Sequence, residues 1–273
     1  PLSGEAAGRL TATAIVVDES SWRLLGGRAA LAGSLGRDAD FRARFAADDL
    51  STLSPEFGGE LDAQLALRAD TLDIGFTGHG LAWGEHRAVV LSADARIDRQ
   101  GRAHSWLRLR SNGITVGGFA ISDTRLALDG LTGDHALNFR LGAGQDALSL
   151  RGRGAWADGR YTLRLDGLEA SGPRLVPWTL ESPGLLAADA GNAALDPVCL
   201  VYESRRLCLE GRWQAGGEWA VKATTESFPL EALDPKRLRA PRHHGMLAVD
   251  ARAHGRTGEP WLADLRAEIR DAS

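Results

Sequence analysis

The chain has 273 residues, 44% hydrophobic and 25% charged, with a formal net charge of −4. That balance excludes a global basic field for nucleic acid. No stretch approaches the roughly 18–20 consecutive apolar residues of a helical membrane span; "ITVGGFAI" at 114–121 comes nearest and is strand length.

From the N-terminus onward, period-two alternation dominates. "DDLSTLSP" at 48–55 allows about one helical turn before its proline stops it. "ELDAQLALRAD" sets Leu61, Ala63, Leu65 and Leu67 on one face, with Asp62, Gln64 and Arg68 opposite. After the turn-like "RQGRAH" (99–104) the pattern returns at Leu107/Leu109 and Leu126/Leu128. "DGLTGDH" (129–135) marks the next turn, followed by Leu137, Phe139 and Leu141 against Asn138 and Arg140. Leu148/Leu150, the turn "ADGRY" (157–161), Leu163/Leu165, the turn "QAGGEW" (214–219) and Trp219/Val221/Ala223 continue the series. "FPLEALDP" at 228–235 is a second short helical candidate.

Side chains switch sides at each residue of a strand, so this alternation predicts sheet with one apolar and one wet face. Parallel α/β strands would read as continuous apolar runs instead. The expected fold class is all-β: an elongated, repetitive antiparallel sheet with few short helical turns.

An internal repeat supports the repetitive reading. "LSTLSP" (50–55) matches "LEALDP" (230–235), and "LAGSLGRDADFRA" (31–43) parallels "LEGRWQAGGEWAV" (209–221). Gly59-x-Leu61 parallels Gly245-x-Leu247 in the same order. Quasi-repeat units beginning near 31 and 209, without a linker, predict residues 1–273 to be a single segment. The start at Pro1 and the stop in "EIRDAS" suggest a piece of a longer protein.

The two cysteines sit in "VCLVYESRRLCL". Folded as a hairpin turning at Glu203-Ser204, Tyr202 pairs with Arg205, Val201 with Arg206, Leu200 with Leu207, and Cys199 with Cys208. The cysteines then occupy a non-hydrogen-bonded pair, with Cα atoms about 4.5 Å apart, near the short limit of a disulfide. Leu200, Leu207, Leu209 and Trp213 share the apolar face and the cysteines lie opposite. A disulfide across the outer face is the favoured reading, and two unlinked thiols remain the alternative. A redox pair would be C-x-x-C, and zinc cysteines stand closer in sequence. His243 and His244 are adjacent and face opposite ways on a strand, a poor ligand pair. A disulfide implies an oxidising compartment.

Catalytic signals are missing. "GRGAWA" (152–157) matches a relaxed dinucleotide fingerprint, but a turn and a strand follow where a helix is required. His79, His86, His104, His135 and His254 are scattered, most of them beside glycine or charged residues. No catalytic, cofactor or metal residue is assigned, and the chain is not expected to be an enzyme.

The order Trp178-Thr179-Leu180, Pro183, "VCLVYESRRLCLEGRW" and "FPLEAL" resembles the TamB family, the inner-membrane subunit of the bacterial translocation and assembly module. "DLSTLSPEFGGELDAQLAL", "GDHALNFRL" and "GRTGEPWLADLRAEI" are similar to other recurrent pieces of that family, and the resemblance points to a middle segment. It implies a curled sheet, a taco-like groove with an apolar inner face, in the periplasm of a Gram-negative bacterium as part of an inner-membrane-anchored protein. It also implies phospholipid and the outer-membrane barrel TamA as partners.

A sheet with a continuous apolar face must bury it on another layer or on a ligand. The first function expected is a non-enzymatic conduit for phospholipid acyl chains between inner and outer membrane. Its lining would be Leu61, Leu65, Leu67, Leu107, Leu109, Leu126, Leu128, Leu137, Phe139, Leu141, Leu148, Leu150, Leu163, Leu165, Leu200, Leu207, Leu209 and Trp213, with no directed polar group. The second is a periplasmic scaffold that templates nascent outer-membrane barrels and autotransporters with TamA. A closed β-sandwich core is the alternative to an open groove.

Overall fold

Alternating sequence of this kind settles its backbone polar groups by pairing each strand with the next, and that is how the chain folds. The computed structural model describes residues 3–10, 14–24, 26–36, 38–116, 118–173, 177–203, 205–229 and 245–271. Among them are twenty strands and one short 3-10 turn, so the protein is all-β and antiparallel, as expected. The strands group into two compact units, residues 1–147 and 148–273.

The first unit holds β1 (Ser3–Glu5), β2 (Gly8–Leu10), β3 (Ala14–Leu24), β4 (Gly27–Gly36), β5 (Asp40–Ala47), β6 (Phe57–Arg68), β7 (Thr71–Trp83), β8 (His86–Asp98), β9 (Ser105–Val116), β10 (Phe119–Leu131) and β11 (Asp134–Ala143). Short β1 and β2 both pair with β3. From β3 to β11 every strand pairs with its successor in sequence. The helical turn expected near 48–55 is the 3-10 turn Leu50–Thr52. The Asp49 side chain caps it by accepting the Ser51 N–H at 2.9 Å.

The β8–β9 connection is also tied by an aspartate. The Asp98 carboxylate accepts the backbone N–H of Ala103 at 2.8 Å and that of Arg102, while the Ser105 hydroxyl accepts the Asp98 N–H. The Ala103 N–H holds the Asp98 carboxyl below the ordinary aspartate range, with desolvation opposing it and the Arg102 N–H adding to it.

The second unit holds β12 (Asp146–Ala157), β13 (Arg160–Ser171), β14 (Thr179–Leu180), β15 (Gly184–Ala188), β16 (Asn192–Tyr202), β17 (Arg205–Gln214), β18 (Glu218–Pro229), β19 (Met246–Arg256) and β20 (Leu262–Arg270); the unit boundary falls within β12. Asp158 and Gly159 both have positive φ, 51° and 75°. That pair twists the β12–β13 hairpin as two-residue loops require. β14 and β15 both bridge β13 and β16, and β16 to β20 then pair in sequence order. Ladder shifts occur between Leu195 and Val198 on β16 and between Thr225 and Phe228 on β18. Both parallel segments of the repeat are strand–turn–strand: 31–43 runs from β4 into β5, and 209–221 from β17 into β18. The expected helical turn at 228–235 begins as strand, and its remainder lies outside the described residues, as do His243 and His244.

Few large side chains are fully buried. The buried hydrophobic residues are Ala39, Ala47, Ala93, Ala95, Leu163, Leu165, Ala187, Val198 and Cys199, chiefly small ones. A closed sandwich core would bury its leucines, whereas among the described residues only Leu163 and Leu165 are buried leucines.

Candidate functional site: an uncovered apolar face

Directly opposed residues on antiparallel strands lie on one face of a sheet, so the pairing can be followed from strand to strand. In the first unit, one row runs Leu31, Ala43, Leu65, Ile74, Ala95, Leu107, Leu128, Leu137. The next runs Ala29, Phe45, Ala63, Phe76, Ala93, Leu109, Leu126, Phe139 through the same pairs. A third joins Phe41, Leu67, Leu72 and Ile97, and a fourth Ala47, Leu61, Gly78, Leu91, Ser111, Thr124 and Leu141. The sequence-predicted residues Leu61, Leu65, Leu67, Leu107, Leu109, Leu126, Leu128, Leu137, Phe139 and Leu141 therefore all share one face. Each of them is only half-buried.

Sequence reasoning named none of the residues that β5, β7 and β8 add to this face: Phe41, Phe45, Leu72, Ile74, Phe76 and Leu91. The signal was present in "DFRARFAA" (40–47) and "TLDIGFTG" (71–78), which alternate as cleanly as the segments chosen. The expectation of a lining without polar groups needs correction. Ser111 and Thr124 stand opposite each other in the fourth row, and both hydroxyls are buried without a hydrogen-bond partner. Serine and threonine fit the pleat as small side chains, so they interrupt the apolar row without breaking the ladder.

In the second unit, Leu163, Leu186, Leu195, Gly211, Val221, Ala253 and Ala263 form one row. Leu209, Ala223, Ala251 and Leu265 form another, with Val198 opposite Leu209. Leu200 faces Leu207, and Trp213 faces Trp219. Leu165 pairs with Gly184, where an added Cβ would meet the Val198 side chain at 2.5 Å. Leu148 and Leu150 alternate on β12 with Gly152, whose Cβ would lie 3.1 Å from Leu163, so they belong to the same face. Leu209 and Trp213 are 43% and 40% exposed, whereas the predicted lining residues Leu163 and Leu165, with Val198, are buried.

Cys199 and Cys208 are disulfide-bonded, with a Cα–Cα distance of 4.0 Å. The β16–β17 register is the one expected, pair for pair from Tyr202/Arg205 to Cys199/Cys208. Because Leu200/Leu207 and Val198/Leu209 occupy the apolar side, the bond lies across the opposite face. Glu203 supplies the turn with φ of 52°, and Ser204 lies outside the described residues.

The other face of the first unit is charged and largely self-satisfied. Arg96 donates to Asp73 at 2.7 Å and Arg44 to Asp62 at 3.0 Å. The Asp73 carboxylate raises the Arg96 guanidinium further above its already high range. A shallow depression on this face is lined by Arg42, Arg44, Gln64, Asp73, Asp94 and Arg96. Its ion pairs already meet one another, so it offers little to a ligand. No cluster of metal-ligating side chains occurs among the described residues, and no helix among them is long and apolar enough to cross a membrane.

A family model described as "TamB, N-terminal domain" matches residues 2–273. The chain belongs to the TamB family. The matched portion is the family's N-terminal domain, where the sequence resemblance had pointed to a middle segment. Searches of curated proteins and of solved structures gave no significant match. TamB-family membership connects the chain with the translocation and assembly module and outer-membrane biogenesis, in a transport and assembly family that is not enzymatic. TamB proteins are associated with the Gram-negative cell envelope, and as a family with TamA and with lipids or outer-membrane proteins.

Proposed function

We propose that the uncovered apolar face carries phospholipid acyl chains, so that this TamB domain is a stretch of a non-enzymatic lipid conduit between inner and outer membrane. The observation that supports it is the set of apolar rows from β4 to β11, whose leucines and phenylalanines are only half-buried and which the small residues Gly78, Ser111 and Thr124 interrupt. Each methylene moved from water onto such a face gains about 0.8 kcal/mol. The gain is not directional, and the rows repeat at each strand, about 4.8 Å apart. A chain shifted by one strand meets an equivalent surface, which favours sliding over fixed binding. The Leu, Phe, Ile and Ala side chains supply the hydrocarbon surface, and the outward-facing ion pairs keep the opposite face in water.

Lipid extraction and native mass spectrometry of the chain isolated from bacterial periplasm test this. Phospholipid should co-purify and be lost in Phe139→Arg, with circular dichroism showing the sheet intact. A folded wild-type chain without lipid, crosslinking instead to nascent outer-membrane strands, would replace the conduit with the scaffold reading.

A further inference from the structure

On the charged face of the first unit, arginines meet carboxylates at several places, and one row of three arginines departs from this. Across neighbouring strands Arg96 meets Asp73 and Arg44 meets Asp62. The second unit does the same. Arg206 meets Glu181, and the directly opposed cations Lys222 and Arg252 are bracketed by Glu210 and Asp264. On β9, β10 and β11, however, Arg110 stands directly opposite Arg125, and Arg125 directly opposite Arg140. Arg23 opposite Arg28 is a like-charged pair at a hairpin end, but no other row of three like charges occurs among the described residues.

These guanidiniums are exposed and poorly compensated. Arg125 reaches only Asp123, at 3.9 Å, with its side chain 72% exposed. Among the described residues, Arg110 and Arg140 take no ion pair and no side-chain hydrogen bond. Arg108, one step along β9 on the same face, lies over the Trp106 ring at 5.4 Å. Like charges placed directly across a ladder destabilise it, so the chain alone bears a cost here that a bound anion removes.

We infer that the Arg110–Arg125–Arg140 row is a binding site for phosphate-bearing anions. The row is about 10 Å long at a strand spacing of about 4.8 Å. An acidic peptide strand laid along it would present same-face carboxylates every 6.7 Å or so, out of step with the arginines. A phosphate group is small enough to sit between two neighbouring guanidiniums and accept paired N–H bonds from each. The row therefore suits one or two discrete phosphates, free or on a lipid headgroup. It does not depend on the opposite face carrying acyl chains.

The test uses the whole chain with vesicles of phosphatidylcholine alone or mixed with phosphatidylglycerol, and separately with inorganic phosphate against chloride at matched ionic strength. Arg125→Gln should weaken binding about tenfold, the loss expected for one charge-assisted contact. The same substitution should raise the melting temperature of the unliganded chain, because it removes a like charge. A merely structural arginine would give the opposite sign. Binding of mixed vesicles assigns a headgroup source, and stabilisation by inorganic phosphate without vesicle binding assigns free phosphate. Binding unchanged in both Arg125→Gln and the Arg110→Gln/Arg140→Gln double variant overturns the site. Equal, arginine-dependent binding of polyglutamate overturns the choice of phosphate.

Discussion

The two units of this TamB domain build the same kind of face by different means. In the first, ladder shifts occur at Val17/Glu19 on β3 and Gly58/Glu60 on β6, but the register is regular over the leucine rows of β5 to β11, and alternation keeps their leucines and phenylalanines on one side. In the second, β16 and β18 each carry a ladder shift, at Leu195/Val198 and Thr225/Phe228. A disulfide joins β16 to β17 close to the first of these shifts. A bulge inserts a residue and leaves the ladder locally unpaired. Beside the Leu195/Val198 shift, a covalent cross-strand bond pins the register. The comparison teaches that both units keep their apolar rows aligned despite ladder shifts, and that only the second adds a covalent cross-strand bond, among the described residues.

Charge on the apolar faces tests the comparison most severely. Phe139→Arg in the first unit and Leu209→Arg in the second each place a guanidinium where hydrocarbon is expected, at about 3 kcal/mol or roughly a hundredfold in lipid retention. Phe139 is half-buried within regular rows, whereas Leu209 is 43% exposed. The Phe139 variant should therefore lose more lipid by quantitative extraction, and equal losses would mean that the units are equivalent in binding.

Replacing both Cys199 and Cys208 with serine comes next. The loop between them is short, so the chain-entropy account gives a loss of about 2.5 kcal/mol. Hydrogen exchange should quicken in β16 and β17 and stay unchanged in β5–β9. Loosening spread over both units would contradict a staple that serves one of them.

A local acid-sensitive effect is expected at the β8–β9 connection. The Asp98 carboxyl is depressed in the folded chain, so its contribution is present above the unfolded value of about 3.9 and is lost as pH falls through the lower folded value. Amide exchange at Arg102 and Ala103, corrected for its intrinsic pH dependence, should rise in that acid window. Asp98→Asn should remove the pH dependence, and its persistence would assign the effect to another group.

The smallest effect concerns Thr124. Its buried, unpartnered hydroxyl costs free energy, and valine has nearly the same shape. Thr124→Val should stabilise the first unit by about 1 kcal/mol in urea unfolding. Destabilisation would mean that the hydroxyl has a partner in solution.

Much of this fold was legible because alternation is a local property. Leu137, Phe139 and Leu141 reveal their shared face within five consecutive residues, and the hairpin register of Cys199 and Cys208 follows from counting outward from one turn. The face as a whole was less legible. Phe45 and Phe76 join Leu109 only through strand pairing, which a sequence does not display. Ser111 and Thr124 were missed because hydroxyl residues read as polar in a pattern, although small ones fit an apolar row. The arginine row was hidden for the same reason: Arg110, Arg125 and Arg140 lie about fifteen residues apart and become neighbours only through the β9–β10–β11 register.

The strand-after-strand pairing of β3 to β11 also constrains how such a domain changes length. One residue inserted within a strand turns every side chain beyond it to the other face, so single insertions are poorly tolerated there. A complete hairpin is different. The β6–β7 hairpin runs from Phe57 to Trp83, and adding or removing a unit of that kind leaves all the remaining rows aligned. Viable size variants should therefore differ by whole hairpins, so that descent works on this domain in steps of two strands.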